Sequence, residues 1–268
     1  MGHRTAIPLY KTRHVAFVEA LKNCDKPDRA IGPYLSFGTG PRGDTVCHTH
    51  ASWFTYNHDG ALYYRIPKSD PCRKYGDTTP CGDCNKYDHD EYSPKTPAAE
   101  GRRILIKNEW TNPVTGEREY FGLRDAVENY FGIESNRAPD GVQHGNKMID
   151  GDGISLGTLN ADIRRIAAQS DISPSLRRER LEEELTIEDE ADRERDQITD
   201  WGRDSDGNGI PDITSHDGRA SYITQLMRND MPRTKALTKT GHKNVETLSR
   251  YVSFAEGEID EQEEDQYY

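Results

Sequence analysis

The sequence predicts an α+β fold, mainly helical with one small antiparallel sheet. Three observations carry this. Apolar residues recur at helical spacing through most of the patterned segments. Only "ALYYRIP" and "RRILIK" are short and rich in aromatic or branched residues, as strands are. The long span between these two strands, rich in Pro, Gly, Cys and Asp, is too irregular for either element and reads as an elaborated hairpin loop.

In chain order, "KTRHVAFVEALKNC" places Val15, Val18 and Leu21 at helical intervals, and "RAIGPYLSFGTG" gives a second apolar segment that stops at a Gly turn before Arg42. The two strands and their loop follow. Helical patterns resume at "FGLRDAVENYFG" and "LGTLNADIRRIAAQS". From Ser173 to about Asp200 the chain is almost all charge with opposite signs four apart, which reads as a solvated helix or an inserted element. "HDGRASYITQLMRND", "RTKALTKT" and "NVETLSRYVSFA" are the last helices. No internal repeat is evident.

With 268 residues and 33% hydrophobic content the chain can bury one sizeable core. The formal net charge of −12 argues at first against nucleic acid, which is bound through Lys and Arg. The acid is unevenly placed, however. It concentrates in "RLEEELTIEDEADRERD" and "EGEIDEQEEDQ", while "NDMPRTKALTKTGHK" is basic and could face DNA. Such an acidic surface also suits a high-salt cytoplasm, where hydrated carboxylates maintain solubility. No run of about 18 apolar residues exists and no signal-peptide core opens the chain, so a cytoplasmic protein without membrane contact is expected. Five cysteines, three of them clustered, suggest metal or free thiols rather than a secreted disulfide framework.

The chemistry gathers near the C-terminus. His216 and Arg219 are one helical turn apart, so both emerge on one face. Gly241-His242 closes the next helix at a turn, and Tyr251 stands nine residues beyond that His. Together these residue types can neutralise, protonate and attack a phosphodiester. Their order and spacing resemble the C-terminal signature of tyrosine recombinases, H-x-x-R then G-H then Tyr. The words "HDGRASYITQLMRND" and "TGHKNVETLSRYV" look especially like integrases of halophilic archaea and their viruses.

The resemblance extends upstream. "FGTGPRGD" is similar to the family's T-G-x-R motif, with Arg42 as its first arginine, and "SPKTPAAEGRRILI" resembles its K-T-…-R-x-I-P-I hairpin, with Lys95 as the mobile lysine. Departures are Pro41 for an apolar residue, Gly218 for the usual Leu of H-x-L-R, and Asp44 one position earlier than the usual acid. The resemblance implies the catalytic-domain fold of DNA breaking-rejoining enzymes over residues 1–254. The Cys-rich hairpin insertion then spans about 67–101, the acidic insertion about 173–212, and an acidic tail 255–268, with the family's N-terminal core-binding domain absent. It implies that Tyr251 attacks the scissile phosphate to leave a 3′-phosphotyrosine. Arg42 and Arg219 would clamp the phosphate and His242 would donate to it. His216 would assist deprotonation, and Lys95 would protonate the leaving 5′-oxygen. No cofactor is implied for catalysis; the partners are double-stranded DNA sites and other protomers on DNA. A second class of function, a shortened relative acting as a DNA-binding accessory or regulator, stays open.

Two metal patterns stand apart. Cys72, Cys81 and Cys84, with His89 beyond them, have the ligand types and local spacing of a structural zinc knuckle, against a reading as three reduced thiols; Cys47, His48 or His50 could also supply a ligand, with Cys47 better read as packing on the helix after Arg42. "DSDGNGIPD" sets Asp204, Asp206, Asn208 and Asp212 at positions one, three, five and nine of a calcium-loop pattern. Ser215 stands where a bidentate Glu is needed, so an acidic turn before His216 is the stronger reading of that stretch.

Overall fold

The computed structural model describes residues 6, 8–9, 11–74, 80–85, 91–133, 148–149, 153–170, 212–246, 248–249 and 251. The segment "KTRHVAFVEALK" forms α1 (Lys11–Lys22), which buries His14, Phe17, Val18 and Leu21. That i, i+3, i+4, i+7 stripe, rather than one starting at Val15, is the face turned to the core. Helix α2 (Pro27–Thr39) starts with Pro at its first turn, where no intrahelical N–H bond is lost. It is buried on every side from Ala30 to Phe37, because α5 (Leu123–Phe131), α6 (Leu156–Gln169) and α7 (Ser215–Arg228) all pack around it. Phe17 and Phe37 lie 4.1 Å apart between ring centroids and join α1 to this centre.

After α2 the chain turns through Gly40 into the short α3 (Gly43–Cys47) and then the sheet. Strands β1 (Phe54–Tyr56), β2 (Leu62–Arg65) and β5 (Arg103–Leu105) form an antiparallel sheet in the order β1-β2-β5, with Tyr64 opposite Ile104. Alternation puts Leu62 and Tyr64 in the core and leaves Arg65 outside. The Cys-rich span between β2 and β5 carries the two-residue strands β3 (Asp70–Pro71) and β4 (Glu91–Tyr92), paired to each other, and the one-turn helix α4 (Gly82–Asn85). A second hairpin, β6 (Glu109–Thr111) with β7 (Arg118–Tyr120), follows, and α8 (Arg233–Thr240) packs on α7.

Most of the predicted acidic insertion and all of the predicted tail lie outside the described residues, as do His89, Asp204, Asp206 and Asn208. Among the described residues, no helix is long and apolar enough to cross a membrane.

Burial of a histidine in α1 gives the fold a testable pH dependence. His14 lies edge-on to Trp110 at 5.1 Å, and its Nδ1 is buried without a hydrogen-bond partner among the described residues. Burial, aided by Arg228, lowers its pKa from 6.5 to about 3. A base with a depressed folded-state pKa binds fewer protons folded than unfolded. Its stabilisation is therefore complete above pH 6.5 and lost as pH falls toward 3, at up to about 1.4 kcal/mol per pH unit. His14→Phe should flatten that acid limb in melting-temperature measurements; an unchanged limb would reject the assignment.

Candidate active site

Gly40 ends α2 in the left-handed conformation, with φ of 61°, and a Cβ there would stand 2.3 Å from the Tyr222 ring. Only glycine permits both the turn and the contact. The turn delivers Arg42 to the N-cap of α3. The start of α7 is fixed by a reciprocal cap, in which Thr214 N–H and Oγ1 both donate to Asp217 Oδ2 at 2.8 Å. This cap sets the rotational phase of His216 and Arg219. His216 is exposed in the first turn, while Arg219 is buried one turn later.

Gly218, the departure from H-x-L-R, has a structural reason. A Cβ there would lie 2.7 Å from the Phe37 ring, so the space a leucine side chain would occupy is already filled from α2. Gly218→Leu should destabilise the protein by about 1–3 kcal/mol through overpacking, and Phe37→Ala in the same chain should recover part of that. Chemical denaturation of the two single variants and the double variant measures the coupling; strict additivity would sink the account.

Arg219 ties two helix ends together. It donates from one terminal nitrogen to the Gly40 carbonyl at 2.5 Å, and from the other to the Thr240 carbonyl at 2.8 Å and to His242 Nε2 at 3.3 Å. Both carbonyls belong to helix C-terminal ends, of α2 and α8, where the backbone dipoles favour a cation. Burial, followed by the nearby Arg102, nevertheless pushes the guanidinium down to about 9.

The tautomer of His242 follows from its neighbours. Thr240 Oγ1 donates its proton to the Ala236 carbonyl at 2.7 Å. The His242 Nδ1 at 2.7 Å must then donate to that oxygen, which leaves Nε2 to accept from Arg219. Burial and the cations Arg219, Arg42 and Arg102 lower the His242 pKa from 6.5 to about 3, so the ring is neutral near pH 7. The Tyr251 ring is 6.1 Å from His242, half-buried against the small cluster of Ile223, Ala236 and Leu248.

Lys95 is exposed, but its segment is clipped to the same turn. The hydroxyl of neighbouring Thr96 donates to the Gly241 carbonyl at 3.5 Å, and Ala99 packs on Gly241. The structure thus gathers Arg42, Arg219, His242 and Tyr251, brings the Lys95 strap beside them, and sets His216 on the exposed turn of α7.

Sequence reasoning missed Arg102. It is 6% exposed, donates to the Lys239 carbonyl at 2.8 Å, and has a buried Nε without a hydrogen-bond partner among the described residues. Burial lowers its pKa, and Arg42 lowers it further. The groups acting on Arg219 are Arg102, Tyr251, Arg42 and Tyr222, with no carboxylate among them. Three guanidiniums converge, and among the described residues no carboxylate figures in the main charges acting on Arg219 or Arg102. That arrangement favours a bound anion, and planar forks suit phosphate oxygens.

Cys72, Cys81 and Cys84 come together, but the fourth group beside them is His48 at the end of α3; ligand atoms of all four lie within 4.8 Å of one another. His48, one of the histidines considered from the sequence, is thus the nitrogen group beside the sulfurs among the described residues, and His89 lies outside them. His50, the other candidate, pairs with Asp70 instead. Asp212, ninth position of the calcium pattern, lies 3.8 Å from the buried Arg164 and already faces a cation.

No family model matches the sequence and no curated protein matches it. Solved structures do. The XerH site-specific recombinase bound to palindromic difH substrate, in a post-cleavage complex, superposes with a TM-score of 0.52 at 12% identity, covering 99% of this chain and 54% of that one. XerA recombinase gives a TM-score of 0.52 at 12% identity, covering 98% and 64%. The Tn1549 transposon integrase in complex with transposon right end DNA gives 0.51 at 12%, covering 96% and 66%. The chain spans between about half and two thirds of the length of these structures. It has the helix-rich fold, with small antiparallel sheets, of a tyrosine recombinase catalytic domain.

Proposed function

We propose that this chain is a site-specific DNA recombinase or integrase that cuts and rejoins double-stranded DNA through a 3′-phosphotyrosine. The observation that carries the reading is the convergence of three arginines, with no carboxylate among the described groups acting on Arg219, next to a neutral histidine and a half-buried tyrosine. Arg42 and Arg219 hold the non-bridging phosphate oxygens, where negative charge grows during attack. The Tyr251 oxygen bonds to phosphorus as the bond to the 5′-oxygen breaks. The tyrosine proton leaves through the His216 side, and Lys95 protonates the departing 5′-oxygen. One phosphate ester replaces another, so religation runs back along the same path without nucleotide or metal.

His242 accepts from Arg219 in the structure described. Donating to a phosphate oxygen requires it to gain a proton at Nε2, and a phosphate anion in the cluster favours that gain. The exposed Arg233 and Lys235 of α8, with Lys239 and Lys107 beside them, offer a basic ridge along which the DNA backbone can lie, despite the acidic charge of the whole chain. Each protomer cuts one strand through its one Tyr251, so further protomers on the same DNA would supply the remaining cuts.

The test is a library of duplexes with a randomised centre and one nicked strand, mixed with the protein and screened for adducts that survive detergent. Adducts enriched in a common sequence are expected. Sequence-selective binding without any adduct would favour the accessory, non-catalytic reading.

A further inference from the structure

We infer that His48, Cys72, Cys81 and Cys84 form a tetrahedral metal site, suited to zinc, that pins the Cys-rich insertion to the helix beginning at Arg42. The four residues are all buried and come from three separate pieces of chain: the C-cap of α3, the end of β3, and the start and body of α4. Their ligand atoms lie within 4.8 Å of one another, near enough to surround one centre. His48 Nε2 lies 3.4 Å from Cys81 Sγ and 3.4 Å from Cys84 Sγ. Zinc–ligand bonds of about 2.0–2.3 Å in a tetrahedron place ligand atoms roughly 3.5–3.8 Å apart, close to these separations.

The histidine is prepared for the role. Its Nδ1 lies 2.8 Å from the Asp44 carbonyl, an oxygen that can only accept. Nδ1 therefore carries the proton, and the Nε2 lone pair is directed at the sulfurs. A backbone carbonyl fixing the far nitrogen is the usual outer-shell support of a metal-bound imidazole. Tyr92 stacks on the ring at 4.7 Å, and its hydroxyl donates to Thr45 Oγ1 at 2.8 Å, so β4 holds the imidazole in place. Three sulfurs and one imidazole nitrogen select zinc over hard cations such as calcium or magnesium.

The insertion needs such a centre. Its described residues form two-residue strands, a one-turn helix and a three-residue 3-10 turn, elements too short to hold themselves. The metal also joins two parts of the candidate active site. Arg42 and His48 cap opposite ends of the five-residue α3, and Lys95 follows closely on Tyr92. This consequence for strand transfer rests on the recombinase reading, whereas the metal site does not.

Protein purified without chelator should carry about one equivalent of zinc. Cobalt exchanged into it should show tetrahedral d–d bands with thiolate charge transfer. His89→Ala should keep both signals. His48→Ala should weaken binding by more than the roughly 10–100-fold expected for loss of an outer-shell partner. Because that variant could unfold the hairpin, His48→Cys provides an independent check: it should bind cobalt with a stronger thiolate charge-transfer band. Chelation should open residues 67–101 to protease before the helices. The inference is overturned if metal analysis finds none while all thiols titrate freely. It is equally overturned if His89→Ala loses the metal and His48→Ala retains it, or if His48→Cys leaves the cobalt spectrum unchanged.

Discussion

Tyr251→Phe should abolish the covalent protein–DNA adduct while leaving duplex binding within about twofold, because only a neutral oxygen is removed and the charge-dominated contacts to phosphate remain. The fold should tolerate the change. The Tyr251 ring packs on Ile223, Ala236 and Leu248, and phenylalanine keeps that apolar surface. The variant therefore separates chemistry from folding and from binding, which a change to alanine would not do. Tyr222 is an instructive control. It lies one turn after Arg219 on α7, and burial pushes its hydroxyl up to about 12, while its ring closes over Gly40. That burial makes it a poor nucleophile, and Tyr222→Phe should still form adducts. Detergent gels of both variants on nicked duplex decide the matter. An adduct from Tyr251→Phe would assign the attacking oxygen to another residue.

The helical skeleton and the C-terminal residues were legible because both depend on short-range spacing. Arg219 one turn after His216, and Gly241 at the end of α8, need only a helix and a cap to be placed. What escaped depends on register or on distant contacts. Arg102 and Arg103 are adjacent in "RRILI", and alternation sends them opposite ways: Arg103 lies over the Tyr63 ring at 4.4 Å, while Arg102 enters the cationic cluster. Only the pairing of β5 with β2 tells them apart. Ligand spacing favoured His89, which lies outside the described residues, over His48, because nothing local reports that α3 ends beside the Cys cluster. The three-residue strands β1, β6 and β7 are too short for an alternating pattern to register. The role of Gly218 was hidden for a related reason: the side chain that fills its space, Phe37, comes from a helix far upstream.

Arg219 should be the second most sensitive position, and replacing it with lysine should not rescue it. Arg219→Ala should lower adduct formation about 10²–10³-fold, the loss seen when one donor to a developing oxyanion is removed. Lysine keeps the charge but not the fork. The arginine reaches two carbonyls and His242 Nε2 from two nitrogens while presenting a flat face, whereas an ammonium is a single point on a flexible stem. Arg219→Lys should therefore lose nearly as much activity as Arg219→Ala. A second readout ties the loss to the site rather than to general damage. Arg219 is the largest charged contribution holding the His242 pKa down, after burial itself. Removing that cation should move the His242 titration upward, toward its ordinary value of 6.5, in imidazole NMR spectra of folded protein. Arg102→Gln should move it in the same direction by less, since Arg102 ranks after Arg42 among those cations. Adduct formation at the intact rate in Arg219→Ala would remove Arg219 from the phosphate clamp. An unmoved His242 titration would break the electrostatic link between the two residues and leave burial as the cause of the neutral imidazole.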